Sequence, residues 1–426
     1  MKKENIIIAS VALFVFLAFG FLTQIFNSYF LQGFMQTSDT WSYYSASINF
    51  FHHFKADPMR TLGYPALIGI PHIFNAGTDA LYLWAIFLNL VAWILTSLFI
   101  FNTLSLVTKK SISILATAIF MMCVGNIEYV YLVLSETIYT CLITGVVYFV
   151  TKYFLGKKIH SLTWAFLLFS VSLLIRPTLW PIYPFLIIAA VYVGIRSIRM
   201  IERKAIFYYF LIFFIGVGLI SFQLGMMKRD FGEYTISFNG EKTLYEYLGS
   251  YARHLKDKTD FKTEKDKRLI TMIKCINNGQ WKKMDSICDA DLKDQIKNNA
   301  GNFCKALKID IASNTFEPGF FNIYNINKWS FFDTLKNACI WLSYWQNVLF
   351  TGFSFASILL IIFLRKKLGI ERTKIAFINW GMTMLIIFIS AISFWQLNRF
   401  HIVFTPLVLI NIALLLDSVT KRTSKL

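Results

Sequence analysis

The sequence predicts an all-α polytopic membrane protein: about ten transmembrane helices, interfacial helices in the first outward loop, and a small outward helical domain. Apolar runs of about 20 residues recur along the 426-residue chain, the length at which a helix crosses a hydrocarbon layer. Hydrophobic residues make up 56% and charged residues only 15%, which excludes an ordinary soluble enzyme. The charges are also unevenly placed. Residues 228–341 hold 19 Lys/Arg and 15 Asp/Glu in 114 positions, leaving 32 charged residues for the other 312. A net charge of +18 raises nucleic acid as a partner, but no basic stripe with interleaved aromatics stands on a soluble face, so none is expected. Membrane lipids are the expected surroundings.

Ten spans follow from the hydropathy: 6–26, 80–106, 111–125, 129–151, 161–175, 178–195, 205–227, 343–364, 375–395 and 399–417. The first follows a Lys-rich start, and its length favours an uncleaved anchor. The third and fifth are short for a bilayer. With a cytoplasmic start, alternate loops collect 19 of the 23 basic residues outside the polar segment, among them Lys109, Lys110, Lys157, Lys158, Arg365, Lys366 and Lys367. That bias puts both termini in the cytoplasm and the polar segment outside. The chain then divides into a transmembrane module at 1–227 that includes an outward loop at 27–79, an outward domain at 228–342, and C-terminal membrane helices at 343–426. Of six cysteines, Cys123 and Cys141 lie in spans. Cys275, Cys288, Cys304 and Cys339 share the outward segment, which leaves room for two disulfides in any of three connectivities, and an oxidising compartment is required for any to form. No Cys/His spacing points to zinc.

Four cations remain on the outward side: Lys55, Arg60, Arg176 and Arg399. Asp39, Asp57, Asp79, Glu128 and Glu136 fall on the same side. Ionisable groups at a membrane edge cost free energy unless they pair, meet water or do chemistry, so their convergence marks a site. The bland alternative is a set of ion pairs that pin helices together. In the first outward loop, Ser38 or Asp39 is placed to cap a helix whose Trp41, Tyr44, Ile48 and Phe51 form one apolar stripe, a helix lying in the headgroup layer. Helix N-terminal amides would keep Asp39 ionised, and an ionised carboxylate accepts a proton from an incoming nucleophile. Gly63 and Pro65 break the chain after Arg60, leaving its guanidinium to meet an anionic headgroup. His52 and His53 lie within reach of the same loop; interfacial histidines are more often simply solvated.

Several of these runs resemble one family. Ser38-Asp39-Thr40 followed by Tyr43-Tyr44, the run Arg60-Thr61-Leu62-Gly63-Tyr64-Pro65, Leu134-Ser135-Glu136-Thr137, Arg176-Pro177-Thr178 and the late Asn398-Arg399-Phe400 with Pro406 are similar to those of the bacterial polyprenyl-phosphate-dependent glycosyltransferases. That group includes the aminoarabinose transferases of lipid A and the dolichyl-phosphate-mannose protein mannosyltransferases, which share the C-type glycosyltransferase fold. The resemblance spans residues 37–406. It implies that Asp39 is the general base and Glu136 the second acidic position. It also implies that Arg60 binds the donor phosphate, with Arg176 and Arg399 as candidates for the same charge. Lys55 joins them as the fourth outward cation, and the residues near them, Trp41, Tyr43, Tyr44, Tyr64, His52 and His53, are expected to line the substrate site. Leu62 stands where many relatives have Pro, and Thr40 follows Asp39 in place of a paired acid, so no metal ligand is assigned and a divalent cation is left open.

The expected activity is transfer of a sugar from a polyprenyl-phosphate donor to an extracytoplasmic acceptor, whether lipid, glycan or protein, at the outer face of a bacterial cytoplasmic (inner) membrane. A sugar leaving a phosphate needs fixed cations on one side and a carboxylate on the other. Asp39 and Arg60 supply one of each, and attack opposite the leaving phosphate would invert the anomeric centre. Two rival classes use similar charges. A polysaccharide ligase or polymerase moves a whole glycan, and a flippase commonly carries an internal repeat, which is absent from this sequence.

Overall fold

The computed structural model describes residues 3–22, 38–198, 203–317, 330–392, 399 and 401–420. Among them all regular structure is helical. The chain runs α1 (Lys3–Leu22), α2 (Ser38–His53), α3 (Gly63–Ile68), α4 (Thr78–Val107), α5 (Lys110–Met122), α6 (Val124–Glu128), α7 (Glu136–Gly156), α8 (Ile159–Ile175), α9 (Tyr183–Ser197) and α10 (Arg203–Phe231). A polar series follows: α11 (Asn239–Thr243), a π turn at Leu244–Gly249, α12 (Ser250–Asp257), α13 (Phe261–Asn277), α14 (Trp281–Asn298) and α15 (Ala300–Phe316). It ends with α16 (Ser330–Leu368), α17 (Ile370–Ser390) and α18 (His401–Thr420).

Eight of the described helices are long and apolar enough to cross a membrane. Two of the ten expected spans fall short: α5 has 13 residues and α8 has 17, against about 20 needed for a straight crossing. The expected span at 129–151 begins seven residues late, because 129–135 is irregular chain. The span at 343–364 is part of a 39-residue helix that starts at Ser330, so the polar segment has no helix boundary near 342. Residues 27–37 of the expected outward loop lie outside the described residues.

Packing within the bundle follows side-chain polarity. In α18, 83% of the apolar window is buried, whereas the stretch Pro177–Ser197 buries only 17% and presents Phe185, Ile188 and Tyr192 outward. A central helix and a peripheral, apolar-faced one are what a lipid-surrounded bundle requires. Small and hydroxyl residues let the helices approach. A Cβ on Gly145 would come within 2.9 Å of Leu168, and one on Gly216 within 2.9 Å of Ser170.

The irregular stretch 129–135 is buried throughout, which is costly unless its backbone groups find partners. Asn89 Nδ2 donates to the Leu132 carbonyl at 2.8 Å, Thr137 Oγ1 to that of Tyr129 at 3.0 Å, and Thr40 Oγ1 to that of Val133 at 3.4 Å. Tyr43 and Ser135 share a hydroxyl hydrogen bond of 2.9 Å. Polar side chains from α2, α4 and α7 thus fix the chain that delivers Glu136. All six cysteines stand as free thiols, with Cys275 and Cys288 in one apolar cluster beside Met272 and Met284.

Candidate functional site

Arg60 reaches the site through a braced turn. Asp57 Oδ1 accepts from the backbone N–H groups of both Met59 and Arg60 at 2.8 Å, a short-range turn of the kind aspartate favours. The Leu62 N–H donates to Gln223 Oε1 at 3.1 Å, and that of Ala56 to Asp230 Oδ2 at 2.7 Å, so α10 holds the loop from outside. Behind it, Gly63 packs on the backbone of Leu174. A Cβ there would lie 2.7 Å from the Leu174 carbonyl carbon and oxygen. Only glycine lets α3 lie this close to the end of α8, two residues before Arg176. The Gly-Tyr-Pro run therefore sets the spacing between two of the cations.

These elements bring together a ladder of alternating charge. Arg60 Nη2 donates to Asp39 Oδ1 at 2.5 Å, and Arg60 Nε to Ser42 Oγ at 2.7 Å, while the guanidinium lies 4.4 Å above the Tyr43 ring. Arg399 Nη1 donates to Asp39 Oδ2, and its Nε donates to Glu136 Oε1. Arg176 Nη1 donates to the same Glu136 oxygen, and its Nε to Thr178 Oγ1 at 3.2 Å. The order is Arg60, Asp39, Arg399, Glu136, Arg176: three cations against two anions. Burial alone would raise the Asp39 carboxyl, but Arg399 and Arg60 outweigh it and hold the group well below the usual carboxylate range. Burial pulls the other way on Arg60 and Arg399 too, and their anionic neighbours still leave both raised.

The ladder forms one wall of a cavity of about 280 Å³, lined by Asp39, Ser42, Tyr43, Arg60, Arg176 and Arg399 on the membrane-helix side and by Asn239, Lys242, Thr243 and Tyr247 from α11 and the π turn. Glu136 does not line it. It is 0% exposed and lies behind the two arginines that it holds. Lys242 is paired more loosely than the arginines, with Glu246 Oε2 at 3.8 Å. Burial, then the charges of Glu246 and Asp39, push the Tyr247 phenol to about 12, so it stays a donor at neutral pH.

The other expected site residues lie elsewhere. Lys55 is exposed on the far side of the turn, where it acts on Asp230. His52 and His53 sit at the exposed end of α2; the His52 ring is 5.2 Å from His72. Trp41 is 53% exposed, against Tyr44. Tyr44 bonds to Thr78 at 3.4 Å, and Tyr64 is buried edge-on to Tyr43. The reason is helical phase. The buried face of α2 is Thr40, Tyr43, Ala46 and Ser47, which meets the 129–135 chain, and the stripe headed by Trp41 points away. Nor is Asp39 a helix cap: it is the second residue of α2, and both its oxygens are taken by arginines. The Ser38 side chain, Asn398 and Phe400 lie outside the described residues.

Lys242, Asn239, Thr243 and Tyr247 are not among the expected site residues, because they belong to the polar outward segment, where one lysine among many carries no mark of a site. The signal was there in Leu244, Tyr247, Leu248, Tyr251 and Leu255, whose spacing marks a packed helix. A divalent cation does not fit between Asp39 and Glu136, since guanidinium groups occupy both Asp39 oxygens and Glu136 Oε1 and a metal would face three cations. Comparison of the chain with protein-family models, curated proteins and solved structures gave no match.

Glu241, beside Lys242, gives the cap a pH dependence. Burial, reinforced by the charges of Asp285 and Asp289, pushes its carboxyl to about 7. Between its unfolded value of about 4.3 and that point the folded chain holds a proton which the unfolded chain has lost, so stability falls as pH rises through the window. Thermal melts are expected to show a higher Tm at pH 5 than at pH 8, and Glu241→Gln to narrow that difference, the raised Asp310 carboxyl supplying a further part of it.

Proposed function

We propose that this chain is an integral-membrane glycosyltransferase that moves a sugar from a polyprenyl-phosphate donor to an acceptor hydroxyl at the outer face of the membrane, with inversion. The observation that carries the reading is the cavity in which Asp39 stands between two arginines while Lys242 approaches from the opposite wall. Its excess of positive charge suits a phosphodiester donor that leaves as a doubly charged phosphate monoester, and about 280 Å³ suits a sugar-phosphate headgroup more than a long glycan. A second cavity of about 160 Å³, lined by apolar residues including Val146, Phe166, Phe169 and Leu186, lies among α7 to α10. Ten residues of helix put Val146 about 15 Å from Glu136, within reach of a prenyl chain whose headgroup sits at the ladder.

In this mechanism the donor phosphate enters among Arg60, Arg399, Arg176 and Lys242. The arginines then divide their hydrogen bonds between phosphate and carboxylate, and one Asp39 oxygen becomes available. The acceptor oxygen bonds to the anomeric carbon as the bond from that carbon to the phosphate oxygen breaks. The hydroxyl proton passes to Asp39, and polyprenyl phosphate leaves with its new charge held by the guanidinium groups. The depressed Asp39 pKa ensures that the base is ionised before the phosphate arrives, and the loss of one arginine bond restores its basicity when it is needed.

Incubation of purified protein with radiolabelled sugar on polyprenyl monophosphate and a membrane acceptor fraction tests the reading, with transfer expected from the monophosphate and not from diphosphate-linked glycan. Lys242→Met should raise the donor KM about tenfold, the worth of one charge-assisted hydrogen bond, with little change in Tm. No transfer from any monophosphate donor, or an unaltered donor KM in Lys242→Met, would contradict it.

A further inference from the structure

Where the polar helices meet α16, four buried side-chain oxygens have no hydrogen-bond partner: Asp310 Oδ1, Asn314 Oδ1, Glu317 Oε2 and Asn347 Oδ1. Asp310 and Asn347 are 0% exposed and Asn314 is 4% exposed. Asp310, Asn314 and Glu317 follow one another at i, i+4 and i+7, so they share one face of α15 and its C-terminal cap. Asn347 comes from α16, which packs against α15.

The hydrogen bonds that do form fix which way the amides point. Asn314 Nδ2 donates to Asp310 Oδ2 at 3.2 Å, and Asn347 Nδ2 donates to the Glu317 carbonyl at 3.0 Å. The Glu317 carbonyl accepts only, and so does Asp310 when ionised, so in that state neither amide can be turned round without loss of its bond, and each leaves its oxygen without a donor. The Asp310 and Glu317 carboxyl groups are close enough to repel one another, and no described Lys or Arg offsets either. Four acceptors without a donor between them is an arrangement that a protein interior tolerates poorly. A cation resolves it.

We propose that Asp310, Asn314, Glu317 and Asn347 bind a divalent cation of the calcium class that fastens α15 to α16. The donors are all oxygen, two carboxylates and two amides, which selects a hard cation over zinc or copper. Their number and their unequal side-chain lengths suit the flexible shell of Ca²⁺ more than Mg²⁺, which keeps several waters in a strict octahedron. Glu317 is only partly buried and supplies the entry path. Because α15 also packs against α12 and the π turn that carries Tyr247, an ion here steadies the roof of the cavity. The inference does not depend on the transferase reading, and its test uses no activity.

Full-length protein in detergent, stripped with EGTA, is expected to bind a single Ca²⁺ in equilibrium dialysis and to gain Tm on its return. Tb³⁺ should show luminescence sensitised through Tyr344, one helical turn before Asn347, that Ca²⁺ quenches and Mg²⁺ barely affects. Asp310→Asn should weaken Ca²⁺ binding at least about tenfold, a loss that even outer-shell partners of a metal produce. Asn347→Asp adds a third carboxylate, so it should tighten Ca²⁺ binding and lower the Tm of the stripped protein; it decides the matter if Asp310→Asn fails to fold. Binding unchanged in both variants, or a wild-type Tm indifferent to Ca²⁺, overturns the proposal and leaves Asp310 a buried protonated acid.

Discussion

Asp39→Asn protein is expected to bind the polyprenyl-phosphate donor at least as tightly as wild type while its transfer rate falls by about 10²–10⁴-fold, the usual contribution of a positioned general base. The two halves of that expectation have separate causes. In the ligand-free site Asp39 competes with any entering phosphate for Arg60 and Arg399. An amide in its place keeps an oxygen for one guanidinium but removes the charge, so the arginines turn to the phosphate more readily. The same amide accepts no proton from the acceptor hydroxyl. A purely structural role for Asp39 predicts the reverse pattern: weaker donor binding from misplaced arginines, with turnover at saturating donor little changed. Donor KM and kcat measured on one preparation separate the two. The pH profile adds a second criterion. Because Asp39 is held well below the usual carboxylate range in the free protein, its acid limb in kcat/KM lies below the pH of ordinary assays, and a limb there between pH 4 and 6 must come from another group, whereas the limb of kcat reports Asp39 after the donor has drawn an arginine away.

The membrane character of this chain was legible because lipid imposes a one-dimensional rule, length and apolarity, that needs no knowledge of packing. Where packing overrode the rule, the reading slipped. Helices α5 and α8 are apolar but short, and the 129–135 chain reads as span although Asn89, Thr40 and Thr137 hold it irregular. The ladder was legible for a related reason: cations that break the positive-inside pattern are few, and Arg60, Arg176 and Arg399 meet although hundreds of residues separate them. Lys55 met the same criterion and does not join them. The turn at Asp57 braces Arg60 at the site while Lys55 stays exposed near Asp230, and no spacing rule predicts that. Lys242 is the converse case: among many solvated lysines, only three-dimensional closure of α11 over Asp39 singles it out.

Loss of the charge at Glu136, as in Glu136→Gln, should cost the fold more than loss of the charge at any other member of the ladder. Glu136 is fully buried and accepts from both Arg176 and Arg399, so its neutralisation leaves three guanidinium groups to share Asp39. Removal of one partner from a buried ion pair typically costs about 3–5 kcal/mol, most of it the penalty of the charge left behind. The retained amide oxygen and unaltered shape soften this, and Glu136→Ala should sit at the upper end. Donor affinity is not expected to fall, because a more positive cavity attracts phosphate more strongly; the loss should appear in Tm and in kcat, as the arginines drift from the geometry that serves the leaving group. Glu136 would then be a positioning residue and not a second catalytic acid, and a double-mutant cycle distinguishes the two. Arg176→Met removes the excess cation, so Glu136→Gln combined with Arg176→Met should recover stability relative to Glu136→Gln alone, with a coupling of about 1–3 kcal/mol for groups in direct contact. A catalytic Glu136 would give a double variant with additive losses in turnover and no rescue of Tm.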